Sequence, residues 1–322
     1  MSKEFKRTEH SDILVHWTGS DLDNNDPRMQ ETKKVPWRKH ALRPIDRSSL
    51  IKKKEVIYAY LERLRDILKF GFWMKNDQTL SNDGTLGYKQ EDGRVKDTST
   101  VARICFTELK LSEARQHAYE YGRLGIGVKR MFLFDRAGQP MIYVNPSKGT
   151  SKPNWFVDAP DIAGEDVLWS QTKQSYLKYT SEIEDLNYKY LAESEWRIAY
   201  PDGLDVRTAM GKALSGLIIN INGNLDDEFR KYVTKTCSLD EFKEFVRLSA
   251  PKGLKYLIPL DYWFAVIIYP CPAVKIAAER NCDIRRLLRK TRIPLQQQLT
   301  EIGVGEKYMM PIEIDLDTMS HF

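Results

Sequence analysis

Short apolar runs alternate along this chain with polar stretches rich in glycine and proline, and the spacing within each run separates strand from helix. Ile13-Leu14-Val15, followed by His16-Trp17-Thr18-Gly19, reads as a buried strand that leaves its sheet at the glycine. Ile57, Tyr60, Leu61, Leu64, Ile67 and Leu68 recur at helical spacing. Ser48 or Ser49 caps that helix, Lys69 occupies its last turn and Gly71 ends it. Val101 to Phe106 predicts a short strand, and Ser112 to Tyr121 a short helix stopped at Gly122.

Further on, Val128 to Phe134 and Met141 to Val144 flank Asp135-Arg136-Ala137-Gly138-Gln139-Pro140, the pattern of a β-hairpin. A helix is expected over about 165 to 191, and a strand over Glu195 to Tyr200 stopped by Pro201. Leu217 to Ile221 is a β-type run ending in Asn222-Gly223. Ser238 with Glu241 forms a capping box for a helix to about Leu248. Ala265 to Ile268 reads as a buried strand, followed by a basic helix from about Pro272 to Lys290. Strands and helices intersperse without strict βαβ alternation. The expected fold is therefore α+β, a bent or split mixed sheet flanked by helices. A single domain over residues 1–322 is expected, with loop insertions at about 20–47 and 76–99.

Composition changes this picture little. Hydrophobic residues make up 42% of the 322 and charged residues 30%, which is ordinary for a chain that buries a core. The longest apolar run, Tyr262 to Tyr269, is too short to span a bilayer, and the charged start lacks a secretory apolar region. No membrane association and a cytoplasmic location are expected. The four cysteines, Cys105, Cys237, Cys271 and Cys282, contain no C-x-x-C pair and read as buried thiols.

A net charge of +5 is weak for a dedicated nucleic-acid binder, but its distribution is uneven. Basic residues crowd Lys33 to Lys54 and again Arg285 to Arg292. Each run reads either as a solvated helix face or as a surface for phosphate or an acidic partner.

Familiar catalytic signatures are missing. There is no phosphate-binding P-loop, no pair of histidines at i, i+4, and no Gly-x-Ser-x-Gly elbow. Gly122-Arg123-Leu124-Gly125-Ile126-Gly127 lacks dinucleotide-fingerprint spacing, so its glycines read as turn and close-packing residues. What remains is a series of blocks. His16-Trp17-Thr18-Gly19 is followed by a helix ending in Leu68-Lys69-Phe70-Gly71-Phe72. Next come Ile104-Cys105-Phe106-Thr107-Glu108 and Ser112-Glu113-Ala114, and finally Glu193-Ser194-Glu195-Trp196-Arg197-Ile198.

In this order the blocks resemble ADP-ribosyltransferases, whose first strand ends in His-Gly-Ser/Thr and whose catalytic glutamate opens a late strand. Over about Asp12 to Ile314 the chain also resembles the AbiGi family of abortive-infection, phage-resistance proteins, often described as the antitoxin half of their systems. The texts that carry this second likeness are the His-Trp-Thr-Gly block, Cys105 to Arg115, Tyr121 to Gly127 and Glu193 to Ile198.

The resemblance implies an ADP-ribosyltransferase-like scaffold with NAD as substrate and a macromolecule as acceptor. Glu195 would be the catalytic carboxylate, opposing the positive charge that develops on ribose as the nicotinamide bond breaks. Glu193, two residues earlier on the same side of an extended segment, would orient the acceptor. His16, Trp17, Thr18, Phe106, Thr107 and Ser112 would form the NAD-binding set. Two positions depart from the family pattern: Trp17 stands where a glycine is usual, and Cys105 where a tyrosine is usual. They point to the alternative, a non-catalytic antitoxin or regulator that binds a partner toxin or nucleic acid on the same scaffold. Read alone, Glu195 is a strand carboxylate paired with Arg197 or a lysine, and the tryptophans are packing residues.

Overall fold

The computed structural model describes residues 11–19, 22, 54–75, 101–108, 110, 114–144, 176–179, 194–201, 214, 216–232, 236–249, 254–301 and 310–319. Its elements in chain order begin with β1 (Ile13–Thr18), α1 (Lys54–Phe70), β2 (Phe72–Lys75), β3 (Val101–Glu108) and α2 (Ala114–Tyr121). Then come β4 (Leu124–Lys129), α3 (Arg130–Phe134), β5 (Gln139–Pro140), β6 (Ile142–Val144), β7 (Leu177–Tyr179) and β8 (Glu195–Pro201). β9 (Ile219–Asn220), α4 (Leu225–Arg230), α5 (Leu239–Ser249), β10 (Leu254–Ile258) and β11 (Phe264–Tyr269) follow. α6 (Pro272–Arg280), α7 (Cys282–Glu301), β12 (Ile312–Asp315) and α8 (Leu316–Met319) complete the set. The fold is mixed α+β with a mixed sheet. Both expected insertions fall outside the described residues apart from Leu22, as do Ser48, Ser49 and Ser112.

The chain divides into two compact units, the first from Met1–Lys69, Phe106–Phe132 and Asp261–Phe322, the second from Phe70–Cys105 and Leu133–Leu260. In the first, the strand order is β12-β11-β4-β1 and then the Phe106–Glu108 end of β3. The β11–β12 pair is parallel, and the pairs β4–β11, β1–β4 and β1–β3 are antiparallel. Val15 and Trp17 alternate onto one side of β1, where they meet Ala114 and Ala118 of α2, Val266 and Ile268 of β11, and Leu316 and Met319 of α8.

Gly125 and Gly127 sit opposite Trp17 and Val15 in the β1–β4 register. A Cβ at Gly125 would come within 2.9 Å of the Trp17 ring and 3.0 Å of Val15. The tryptophan takes the volume that a side chain at 125 would otherwise fill, while Val266 and Ile13 close on Gly127. The glycine-rich stretch is thus a seat for an indole, and Gly122 is its turn, with φ of +115°.

In the second unit, β2 pairs antiparallel with the Val101–Cys105 part of β3 and with β10, and β10 with β9. β8 pairs with β3 and β5, while β6 and β7 form a separate parallel pair. Phe70 stacks on Phe245 of α5 at 3.9 Å between centroids, within a core that includes Ile219, Tyr232, Phe242 and Leu257. The predicted capping box of α5 is present: Ser238 Oγ accepts from the Glu241 amide, and the Glu241 carboxylate accepts from the Ser238 amide.

Three expectations are corrected. Residues 128–144 do not form a hairpin, because the chain leaves β4 at Lys129 and turns into α3. Phe132 and Leu133 are both buried while Met131 and Phe134 are exposed, a pattern that suits a helical turn and not a strand. The helix expected over 165–191 is interrupted by a strand at Leu177–Tyr179, the rest of that span lying outside the described residues. Tyr176 anchors it, its hydroxyl donating to the Ala137 carbonyl and accepting from the Ala199 amide. The single basic helix from Pro272 to Lys290 is two helices. Asn281 takes extended backbone at φ −85°, ψ 108°, and its side chain caps α7 by accepting from the Asp283 and Ile284 amides.

Gly71 ends α1 with φ of +96°, and a Cβ there would lie 2.2 Å from the Ile258 carbonyl oxygen. Gly71→Ala is therefore expected to cost on the order of 3 kcal/mol, combining left-handed backbone with overpacking against main chain. Urea unfolding followed by circular dichroism measures it; an effect below about 1 kcal/mol would mean the chain relaxes around the added methyl.

Candidate functional site

In the first unit β1 presents His16 and Thr18 on one side and Val15 and Trp17 on the other, as strand alternation requires. His16 is half-buried, its ring 5.7 Å from that of Phe106, which in turn meets Phe132 edge-on at 6.4 Å. Thr18 is half-buried, and its hydroxyl accepts a 2.9 Å hydrogen bond from Arg63 of α1. Trp17 is buried, and its indole N–H donates to Thr107 Oγ1 at 3.1 Å. The Thr107 hydroxyl donates onward to the Val15 carbonyl at 3.4 Å, across the pairing of those two residues. Phe106 is core.

Of the six residues that the resemblance assigns to NAD, the structure gathers His16, Trp17, Thr18, Phe106 and Thr107 in one unit, and Ser112 lies outside the described residues. It spends their polar groups differently from that assignment. The Trp17 and Thr107 donors serve the backbone and each other, and Thr18 serves Arg63. Arg63 is the residue that sequence reasoning missed. Its half-buried position, three residues from the buried Tyr60, put it on the strand-facing side of α1, which is the available signal.

Glu195 opens β8 in the second unit, directly after Ser194, whose φ of +43° is left-handed for a residue with a side chain. The carboxylate is buried and accepts from Arg197 Nε at 2.7 Å, both side chains being less than a tenth exposed. Cys105 of β3 hydrogen-bonds the same carboxylate. Burial first, and then the neighbouring Glu195 charge, push the Cys105 thiol up to about 12, against the smaller pull of Arg197 and Arg103. At neutral pH it is a protonated donor and not a nucleophile. Glu193 lies outside the described residues.

Comparisons with known protein families, with curated proteins and with solved structures return no match. The site is therefore read from its own groups. Among the described residues no cluster of His, Cys, Asp and Glu is arranged to hold a metal ion, and no helix is long and apolar enough to cross a membrane. In the C-terminal basic cluster, Arg285 pairs with Glu313 at 2.5 Å and Arg286 with Asp283 at 3.1 Å, while Arg289 is exposed. The Lys33–Lys54 stretch carries no described side chain.

Two expectations follow. Trp17→Ala should cost about 3–5 kcal/mol, because it empties the seat over Gly125 and removes the indole N–H from which Thr107 accepts. Chemical denaturation measures this, and near-neutrality would mean the indole is not structural. Glu195→Gln should destabilise by about 3 kcal/mol by leaving a buried guanidinium without its counter-charge. The double change Glu195→Gln with Arg197→Met should recover much of that loss in a double-mutant cycle. Strict additivity would disprove the coupling.

Proposed function

We propose that this chain is a phage-defence regulator on an ADP-ribosyltransferase-like scaffold, and that it acts by binding a partner protein, a cognate toxin, rather than by consuming NAD. The observation that carries this reading is the buried Trp17 indole donating to Thr107. At the two positions where the resembled transferases keep a small residue and a ligand-facing strand, this chain keeps a packed ring and an internal hydrogen bond. The setting of Glu195 supports the same reading. A carboxylate that is to oppose a developing cation must face the reacting atoms, and this one is engaged by Arg197 and Cys105.

The transferase reading keeps one observation in its favour. His16 and Thr18 remain half-exposed on one side of β1, the side on which that family's histidine meets its nucleotide. NAD labelled in its adenylate, incubated with purified protein and a cell lysate, separates the two readings. The expected result is neither transfer of label to a macromolecule nor release of nicotinamide. Turnover that disappears in Glu195→Gln, with the variant still folded by circular dichroism, would sink the binding reading and restore the enzyme.

A further inference from the structure

The positive charge of this chain is concentrated in one stretch. Pro272 to Arg292 holds seven basic and two acidic side chains, a net +5 that equals the net charge of all 322 residues. The stretch is α6 and the first half of α7, joined through the extended Asn281. Ile284, Leu287, Leu288 and Thr291 are buried and fix the inward face of α7. Arg286 and Arg289, at i, i+3 on the opposite face, are exposed, with Lys290 half-buried on the flank. Arg280 is exposed at the end of α6, and the Arg292 side chain lies outside the described residues.

Acidic neighbours cancel only part of this charge. Glu313 of β12 accepts from Arg285 at 2.5 Å and from Tyr269 at 2.7 Å, which makes that arginine internal to the fold. Asp315 is buried and accepts from the Thr318 amide and hydroxyl. Asp283 pairs with Arg286 at 3.1 Å, but both side chains are more than half exposed, a contact that a competing anion can replace. On α6, Lys275 and Glu279 stand one turn apart and offset each other in net charge. Arg280, Arg289 and Lys290 form no ion pair among the described residues. Helix stability does not account for these positions. α7 has no basic residue in its last turn, where cations favour a helix, and Arg285–Arg289 and Arg286–Lys290 are like charges at i, i+4, which disfavour it.

We propose that the outward face of α7, with Arg280 just ahead of it, binds the phosphate backbone of a nucleic-acid duplex. Arginine forks suit phosphate oxygens, and a duplex offers closely spaced charge that relieves the repulsion along the helix. An acidic protein would be drawn to the same charge, but protein interfaces centre on apolar or aromatic anchors. No large hydrophobic side chain is exposed on the described part of α7, and Ile276 is the single one on α6. A single strand would gain from stacking on aromatic rings, and neither helix contains one. This surface is distinct from the partner-protein reading above and stands whether or not that reading holds.

The probe is a fluorescein-labelled DNA duplex of about twenty base pairs, titrated with the full chain by fluorescence anisotropy between about 50 and 200 mM salt. A Kd of about 10 µM is expected at the lower salt, with affinity falling at a log–log slope of about −3. Arg286→Gln combined with Arg289→Gln should bring the slope to about −1 and weaken binding about tenfold or more at the lower salt. The melting temperature of that variant should be unchanged, since both side chains are exposed. Arg230→Gln combined with Arg247→Gln removes the same charge from exposed positions on α4 and α5 and should bind as wild type does. The proposal is overturned by no binding, by a slope near zero, or by full binding in the Arg286/Arg289 variant. An equal loss in the Arg230/Arg247 variant also overturns it, for then net charge and not this face is responsible. Binding of a labelled polyglutamate peptide as tightly as the duplex would make the occupant an acidic protein. Tighter binding of either separated strand would make it a single-stranded nucleic acid, and each of these two results likewise sinks the proposal.

Discussion

The seat of Trp17 on β4 is the constraint around which the first unit is arranged. A tryptophan on a strand needs a large recess on its own side of the sheet and a hydrogen-bond partner for its N–H. Gly125 supplies the recess, and Thr107 on the other neighbouring strand supplies the partner. One ring thereby ties β1 to both strands beside it and gives α2 a floor on which Ala114 and Ala118 approach closely. Alanines on that face of the helix follow from the ring beneath them, since larger side chains would contest its volume.

The second unit solves a different problem, a carboxylate and a guanidinium buried two residues apart on one strand. Their side chains share a side of β8 and neutralise each other there. Burying such a pair gains little net stability over apolar residues of the same shape, but removing one partner is costly. The Cys105 thiol adds a third member, kept protonated by its surroundings. This locks the start of β8, where Ser194 already takes a left-handed turn into the strand.

Much of the fold was legible from periodicity. The helix closed by Gly71, the strand around Cys105, the capping box at Ser238 and the strand after Ala265 all occur where apolar spacing and capping chemistry place them. The glycines of 122–127 were readable as packing residues, although their partner was not, because Trp17 lies over a hundred positions away and meets them only through strand pairing. Local pattern failed where tertiary demands overrode it. Phe132 and Leu133 read as part of a strand, yet both reach the interior from a single helical turn. Asn281 broke a helix whose composition reads as continuous, its side chain serving better as a cap than as a solvated face. At the site, the Glu195–Arg197 pairing could be read from i, i+2 spacing on a strand. The engagement of Thr107 by Trp17 could not, since neither residue type announces which neighbour it will choose.

The fit between an indole and a glycine also bears on how this protein can diverge over time. Position 17 cannot shrink without opening a void, and position 125 cannot gain a side chain while the ring remains. The two sites are therefore linked in inheritance. A lineage that trades the tryptophan for a small residue loosens the hold on position 125, and one that keeps it is bound to glycine there. Gly127 answers instead to Val266 and Ile13, which close on it from either side. Among descendants of a common ancestor, residues 17 and 125 should change together or not at all.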